Sequence, residues 1–466
     1  MAAVTTEQDF FAAEIAAWKL SPERKWQVDG ERYYHYDHDI LKRERTVIGK
    51  TGGLEVVHNL PNNRLIDNQY AKMVDQKTNY LLGKPFKFST DNEQYTPHLE
   101  SIFDKDFSRL LQNLGEDSLN CAIAWLFITY DEDGKLTFKR FPPHEVLPYW
   151  KDSEHTRLDV LVRVYTLEQY GENGELELVE MVEVYKPEGV ERYTLVENVL
   201  IPDGNGLTPY ITVGGAAFNW GRIPVVAFKY NDDEIPLIKK VKSLQDALNE
   251  CISDFQNNMQ EDNRNTILVI NNHDGEDLGD FRHNLAAYGA IKTQTVDGVS
   301  GGVSALRIEV NHENYKAVTE SLKQAIIDNA MGFDAKVLKS GSPNQMNILS
   351  IFADIDLDAD GMETEWQYSL EQLLQFVDIH LVSTGKGDYT KDKVNFTFNR
   401  NMMLDAGAKI QSIQSSVGLV SQETLLENHP FVTDAAQELE RMKADRQPPP
   451  DEYDQTPNQK ESNENE

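Results

Sequence analysis

Between Val241 and Phe333 the chain reads as a helical pattern, a β-rich insert of about fifty residues and a second helical pattern, and no other stretch constrains the fold as much. In the first segment Val241, Leu244, Leu248, Ile252, Phe255 and Met259 step by three or four. Lys242, Gln245, Glu250, Asn257 and Gln260 lie between them, as expected of an amphipathic helix. Tyr315, Val318, Leu322, Ile326, Ala330 and Phe333 repeat the pattern. At about 1.5 Å per residue, each segment gives a rod of roughly 30 Å. The apolar stripes are narrow, so each rod needs partners beyond its own insert. Within the insert, Thr266 to Ile270 reads as a β run, Asn271 to Asp280 as turns, and Ala290 to Val310 as short strands broken by Gly298 to Gly302. A small β module carried on two long helices suggests a projecting part; an ordinary helical hairpin with a decorated tip fits the pattern equally.

With 466 residues the chain can bury a large core and form about two to four structural units. Charge decides more. Against 45 Lys plus Arg stand 77 Asp plus Glu, a net charge of −32. Holding nucleic acid by phosphate neutralisation needs clustered Lys and Arg, so a tight grip on DNA is excluded. Cys121 and Cys251 are too few and too far apart for a disulfide framework or a metal cluster, and they fit synthesis in a reducing cytoplasm. No apolar run approaches the roughly eighteen residues of a membrane span, and no basic-then-apolar signal opens the chain, so a soluble protein without a membrane partner is expected.

Thr5 to Leu20 reads as a helix with Phe10, Phe11, Ile15 and Trp18 on one side and Pro22 ending the unit. Glu31 to Arg45 is dense in aromatics and charge. His35 and His38 with Asp37 and Asp39 have a metal-like spacing, but no distant His or Cys set completes a site, which favours a packed, salt-bridged helix. From Asn62 to Phe88, Leu65, Tyr70, Met73, Val74, Tyr80 and Leu81 make a helix face, with Gly83 as its cap and Pro85 as its stop. Phe103 to Leu114 is again helical. Cys121 to Tyr130 and Leu136 to Phe141 form a hairpin about the turn Asp131 to Gly134. Pro142 to Trp150 reads as a structural loop, its His144 and Glu145 lacking a nucleophile. Asp159 to Leu167, Leu176 to Lys186 and Val190 to Leu195 alternate as in an antiparallel sheet with one wet face. Arg222 to Tyr230 is a strand feeding the first rod. After the second rod come a loop, Phe333 to Asn347, and a long helix from Ile348 to about Val382 with an expected kink at Gly361. Lys393 to Asn399 is a strand, and Leu404 to Val417, Ser421 to Asn428 and Thr433 to Arg446 are helices. Pro448 to Glu466 has the composition of a disordered acidic tail.

The helix running into YLLGKPF (Tyr80 to Phe86), preceded by Asn62, Asn63 and Arg64 and by YYHYDHDIL (Tyr33 to Leu41), resembles the N-terminal signature of the tailed-bacteriophage portal proteins of the SPP1-like family. PVVAF (Pro224 to Phe228), a short acidic spacer and Lys242 to Asn258 resemble the same family in the same order, so the likeness extends over most of the chain.

The resemblance implies an α+β portal-type fold. It has a wing of mixed α/β structure (residues 1–235), a stem of two long helices (236–262 and 312–333), a β-containing clip insert (263–311) and a tunnel loop (334–347). A long kinked wing helix and strand (348–400), an α-helical crown (401–447) and the acidic tail (448–466) complete it. It further implies a ring homo-oligomer, typically of about twelve subunits, at one capsid vertex of the virion. Such a ring passes double-stranded DNA in packaging and ejection, weakly and without sequence specificity. It binds the terminase large subunit, the major capsid and scaffolding proteins, and head-completion or tail adaptor proteins; no enzymatic activity and no cofactor are implied. By the resemblance, stem packing falls to Leu244, Leu248, Ile252, Phe255, Val318, Leu322 and Ile326, and terminase docking to Asp277, Asp280, Arg282, His283 and Lys292 of the clip. Lys336, Lys339, Ser340, Gly341 and Ser342 of the tunnel loop are the residues nearest DNA. The acidic surplus then has a role, since an acidic wall repels DNA and keeps it centred and mobile. An acidic oligomeric scaffold or adaptor of the virion uses the same charge, but it lacks the axial hole.

Asp356, Asp358, Asp360 and Gly361 match the opening of a calcium loop, yet Gln367 stands where that loop needs a bidentate Glu and Glu363 where it needs an apolar residue. Some other cation site, such as one between subunits, is the second reading; an acidic solvated or channel-facing helix is the favoured one. The chain has no GxxxxGK[ST], Ser383 to Asp388 carrying only its last fragment, and no GxSxG. A metal nuclease hidden among the carboxylates would lose activity on changing Asp356 and Asp358 to Asn.

Overall fold

A computed structural model describes residues 6–49, 51–58, 60–170, 174–204, 206–213, 216–261, 267–271, 277, 279–280, 283, 287–288, 295–306, 312–334, 345–400, 406–429, 431–432 and 435–445. The chain divides into two units, Met1–Ala335 with Phe352–Asn401 and Lys336–Ile351 with Met402–Glu466.

The first unit opens with α1 (Glu7–Lys19) and α2 (Pro22–Tyr34). Thr6 caps α1 by accepting from the Asp9 amide, and Ser21 caps α2 by accepting from the Arg24 amide. Pro22 occupies the first turn of α2, where an amide hydrogen would have no helical partner. It therefore starts a second helix instead of closing the first unit, a correction to the sequence reading. A ribbon of β1 (Thr46–Ile48) and β2 (Leu54–Val56) follows, then α3 (Gln69–Leu82), capped by Asn68. Leu65 lies ahead of α3 in a non-helical segment and does not belong to its apolar face.

Next come β3 (Lys87–Thr90), α4 (Thr96–Ile102) and α5 (Lys105–Cys121). α5 runs seven residues past Leu114 and claims Cys121, so β4 (Ile123–Tyr130) starts after a backbone turn at Ala122, where φ is 73°. The run from Cys121 onward is buried in both conformations, which hid the helix end from a hydropathy pattern. α2 and α5 touch closely at Gly30, where a Cβ would stand 1.9 Å from the carbonyl oxygen of Asn120.

β4 and β5 (Leu136–Phe141) form the expected hairpin. β6 (Val146–Trp150), β7 (Leu158–Tyr170), β8 (Leu176–Lys186), β9 (Gly189–Val196) and β10 (Val199–Pro202) make one antiparallel sheet in the order β10-β9-β8-β7-β6. Val146 to Trp150 is thus an edge strand and not a loop; Pro148 is tolerated because an edge strand leaves one side unpaired. β11 (Ile211–Val213) pairs with β12 (Ala216–Phe218), and β13 (Val225–Lys229) joins β4 and β5 in a three-stranded sheet.

The five-stranded sheet is covered on both faces, where one wet face was expected. Phe11, Ala12 and Ile15 of α1 pack on Val162, Val164, Val182 and Val184. The alternate residues Leu161 and Tyr185 pack on Trp125, Phe141 and Val225 of the three-stranded sheet. Each large apolar side chain so buried contributes about 1.5–3 kcal/mol. Bare apolar groups remain at the outer ends of β7 and β8, among them Tyr170 and Leu178, and on β9 and β10 at Val196, Val199 and Ile201.

α6 (Leu237–Glu261) leads to β14 (Ile267–Asn271), β15 (Thr295–Val296), β16 (Val299–Ser300), β17 (Gly302–Leu306) and α7 (His312–Asn329). β14 pairs with β17 and β15 with β16, so the helix, β insert and helix of the sequence reading are present, with Phe333 falling beyond the end of α7. α8 (Gln345–Ser383) continues unbroken through Gly361, and β18 (Val394–Thr397) pairs with β3.

The second unit contains α9 (Ala406–Ser415), α10 (Gln422–Glu427) and α11 (Ala435–Asp445). Ser421 caps α10, and α10 packs on α11. The acidic tail, Pro448 to Glu466, lies outside the described residues.

Candidate functional site

α6 buries a polar stripe as well as an apolar one. Gln245, Asn249, Ser253 and Asn257, four residues apart and so on one face, are all fully buried. They meet the backbone of the extended segment before α3 and of the first turn of α3. Asn257 Oδ1 accepts from the Asn63 amide (2.8 Å), Ser253 Oγ from Leu65 (2.9 Å), Asn249 Oδ1 from Asp67 (3.1 Å) and Gln245 Oε1 from Tyr70 (3.0 Å). Gln245 Nε2 returns a bond to the Asp67 carbonyl at 2.9 Å. Without strand or helix partners those amides would be orphaned, and the side chains of α6 supply the missing acceptors. The expectation that Gln245 and Asn257 face away from the packed side is therefore corrected.

His38 closes the upper end of this seam. Asn249 Nδ2 donates to its Nδ1 at 2.8 Å, so Nε2 carries the hydrogen and donates to the Tyr33 carbonyl at 3.0 Å. Burial lowers the pKa of this imidazole. It fills a structural place, but the single packed helix expected over Glu31 to Arg45 is corrected: α2 ends at Tyr34, and His38 precedes a separate 3-10 turn, Asp39–Lys42. Glu145 is held by Arg163 at 2.8 Å, and His144 by Glu31 at 2.6 Å.

α7 packs on another face of α6. The Phe255 ring meets His312 and Tyr315 with centroids 5.0 and 4.9 Å away, and Asn258 Nδ2 donates to the Tyr315 hydroxyl at 3.0 Å. This pairing buries Leu248 and Ile326 but leaves Leu244, Ile252, Phe255 and Leu322 half-buried, and Val318 49% exposed.

At the far end of α7, the last turns of α3 hold the chain from below. Gln76 donates to the Phe333 carbonyl (2.9 Å) and accepts from the Phe333 amide (3.0 Å). Lys77 donates to the Met331 carbonyl (3.3 Å) and to Asp358 Oδ2 (2.6 Å), and the Tyr230 hydroxyl donates to the same carboxylate at 2.8 Å. Burial lowers the Lys77 pKa, with Asp358 opposing that shift, and burial beside Asp358 raises the Tyr230 pKa well above its ordinary value. Phe333 stacks on Phe352 of α8 (4.6 Å), whose other side meets Tyr80 (6.1 Å).

The aspartates of the calcium-loop motif belong to this junction. They lie inside α8, where a helix cannot wrap its carboxylates around an ion as a loop does. Their cations are side chains: Lys77 for Asp358, and Arg400 for Asp356, Asp360 and Glu363. Burial works against the Arg400 charge, but its bonds to Glu363, Asp360 and Asp356 outweigh that and raise its pKa. Among the described residues no group of three or more His, Cys, Asp or Glu is placed to hold a metal ion. The favoured reading of a solvated or channel-facing acidic helix is corrected at Asp358, whose side chain is only 10% exposed.

Of the residues assigned to the clip, Asp277, Asp280 and His283 are exposed, whereas Arg282 and Lys292 lie outside the described residues. So do Lys336, Lys339, Ser340, Gly341 and Ser342 of the tunnel loop. Sequence reasoning missed Gln76 and Lys77. A lysine among the apolar positions of α3 was the available signal, but nothing local named its partner. Among the described residues no helix is long and apolar enough to cross a membrane.

The buried charges of this junction are matched by other side chains of the same chain. Residues 23–448 match the family described as phage portal protein, SPP1 Gp6-like, and the chain belongs to that family. It is 30% identical over 424 residues to the portal protein of Bacillus phage SPP1, covering 89% of this chain and 82% of that relative. With the portal protein of Clostridium phage phiCD119 it shares 26% identity over 426 residues, covering 89% and 91%.

Proposed function

We propose that copies of this chain close into a ring at one capsid vertex and form the channel through which double-stranded DNA enters and leaves the head. Beyond the family membership, the observation that supports this reading is the half-covered helix pair. Val318 is exposed and Leu244, Ile252, Phe255 and Leu322 are only partly buried within one chain, so the two helices need a neighbour. A head-to-tail contact repeated by a fixed rotation supplies one and closes on itself.

In this reading α6 and α7 are the stem, residues 263–311 the clip where a terminase docks, the N-terminal helices and sheets with α8 the wing, and α9 to α11 the crown. Residues 334–347 are the tunnel loop, and α3 grips the chain just ahead of it through Gln76 and Lys77. The net charge of −32 gives the channel wall an excess of acid that repels phosphate. Negative-stain images of the purified protein test the reading: a ring with an axial hole is expected. A solid oligomer would favour an acidic scaffold, and a lone monomer at every concentration would overturn both.

A further inference from the structure

The five-stranded sheet leaves an apolar stripe bare on the face whose inner part packs on the three-stranded sheet. Leu161, Arg163, Tyr165 and Leu167 alternate onto that face of β7. Tyr165 pairs with Met181, Met181 with Thr194 and Thr194 with Ile201, so these four make one row across β7, β8, β9 and β10. One row farther out, Leu167 pairs with Val179 and Val196 with Val199. Leu161 and Tyr185 are covered by the three-stranded sheet, whereas Val199 is 59% exposed, Ile201 48%, Val196 47% and Leu167 39%. A contiguous bare stripe of this kind marks contact with another molecule. Four strands about 4.8 Å apart make it about 14 Å long, which matches about ten residues of helix.

The free charge beside the stripe has one sign. On its inner side Arg163 is held by Glu145 at 2.8 Å and Arg192 by Glu183 at 3.2 Å, and Lys186 is held by Glu191 at 3.2 Å. On its outer side Glu177, two residues before Val179, and Glu197, next to Val196, are exposed. Nothing among the described residues pairs with either carboxylate. The cations of the sheet are thus engaged, and what it offers a partner is negative.

The opposite face shows how this chain itself covers such a surface. α1 lays Phe11, Ala12 and Ile15 on the sheet, and Lys19 in its last turn reaches Glu180 of β8 at 2.5 Å. Apolar side chains on the strands and a lysine on a rim carboxylate are therefore a combination that fits this sheet. A second copy is a poor source of a basic rim, because the chain sets 77 Asp plus Glu against 45 Lys plus Arg. Duplex DNA would bring phosphates against Glu177 and Glu197.

We propose that the stripe docks a basic amphipathic helix of another protein, with apolar side chains over Leu167, Val196, Val199 and Ile201 and Lys or Arg against Glu177 and Glu197. Such docking requires no ring, so it stands or falls apart from the channel reading.

The probe is a fluorescein-labelled peptide of about fourteen residues, leucines on one helical face and lysines on the other, titrated against the full chain by fluorescence anisotropy. Val196→Thr, Val199→Thr and Ile201→Thr together retain good strand formers, so circular dichroism should stay native while binding weakens more than about tenfold. Glu177→Gln with Glu197→Gln should weaken it about threefold or more. Glu100→Gln with Glu371→Gln removes as much exposed charge from α4 and α8 and should leave it within about twofold. Equal losses in the two glutamine variants, or native affinity in the threonine variant, overturn the docking, because binding would then follow net charge. A benzophenone on the apolar face of the peptide should cross-link to β9 and β10; cross-links confined to other segments overturn it as well. The other occupants are read with the threonine variant. A shifted ring-to-monomer midpoint in native mass spectrometry assigns the stripe to a second copy, loss of duplex DNA binding assigns it to DNA, and either refutes a basic helix.

Discussion

Lys77 Nζ lies 2.6 Å from Asp358 Oδ2, with the Tyr230 hydroxyl 2.8 Å from the other carboxylate oxygen, so one buried ion pair joins α3 and α8 to the strand that feeds α6. The same ammonium reaches the Met331 carbonyl just past α7. Four segments far apart in the chain therefore meet at one charge. Such a pair adds little net stability over an apolar replacement, but it is costly to break from one side.

Asp358→Asn should consequently cost about 3–5 kcal/mol in urea unfolding at neutral pH, because it leaves Lys77 buried without a counter-charge. Joint replacement by Lys77→Met and Asp358→Leu should recover part of that loss. Burial sets the folded pKa of Lys77 below its ordinary 10.5, so the unfolded chain binds the proton more readily. The stability contribution of this group is then lowest below the folded pKa and rises as pH climbs toward 10.5. In Asp358→Asn the deficit should shrink between pH 7 and pH 10; an equal deficit at both would show that Lys77 is not the cause.

Asp117 offers a pH dependence of the other sign. Burial pushes its carboxyl up from 3.8 to about 6, against the pull of Arg140 at 2.7 Å. A raised folded pKa means stability that is fully present below about 3.8 and lost as pH rises through about 6, a loss on the order of 2–3 kcal/mol. Asp117→Asn should flatten the unfolding midpoint between pH 4 and pH 7 and make the protein more stable than native above that range. A variant that tracks the native profile would assign the dependence to other groups.

The polar seam of α6 predicts an unusual mutational pattern. Asn249→Ala removes the acceptor of the Asp67 amide and the donor to His38, and should destabilise by about 2–4 kcal/mol. Asn249→Leu should be no better than Ala despite its larger apolar surface. Limited proteolysis should then cut between Asn62 and Asn68. A leucine variant as stable as native would show that the segment does not depend on these bonds.

Passage of DNA without retention predicts weak binding by the assembled ring, falling further with salt, measurable by fluorescence anisotropy from low to moderate ionic strength. Lys336→Glu with Lys339→Glu should reduce DNA packaging in an in vitro assay while rings still form. Loss of the rings in that variant would give the loop a role in assembly instead.

Much of the scaffold could be read from the chain itself. The succession α6, β insert, α7 follows from residue periodicity, and the end of α3 follows from Gly83 as its cap and Pro85 as its stop. Both are local effects, decided within a few residues. The errors at Pro22, Cys121 and Val146 to Trp150 are also local, and arise where a residue suits two conformations equally.

The site was legible only in part, and the reason is range. Gln245, Asn249, Ser253 and Asn257 stand visibly four apart, but a polar stripe reads as solvated unless a backbone without its own partners is known to lie against it. The spacing of Asp356, Asp358 and Asp360 suggested a bound ion because the positive charges that hold them, Lys77 and Arg400, come from distant parts of the chain. Periodicity and capping thus determined which helices and strands form, since they depend on neighbours along the chain. Which carboxylate meets which cation, and which amide meets which side chain, was decided only when long-range packing removed water and left each buried polar group to find a partner.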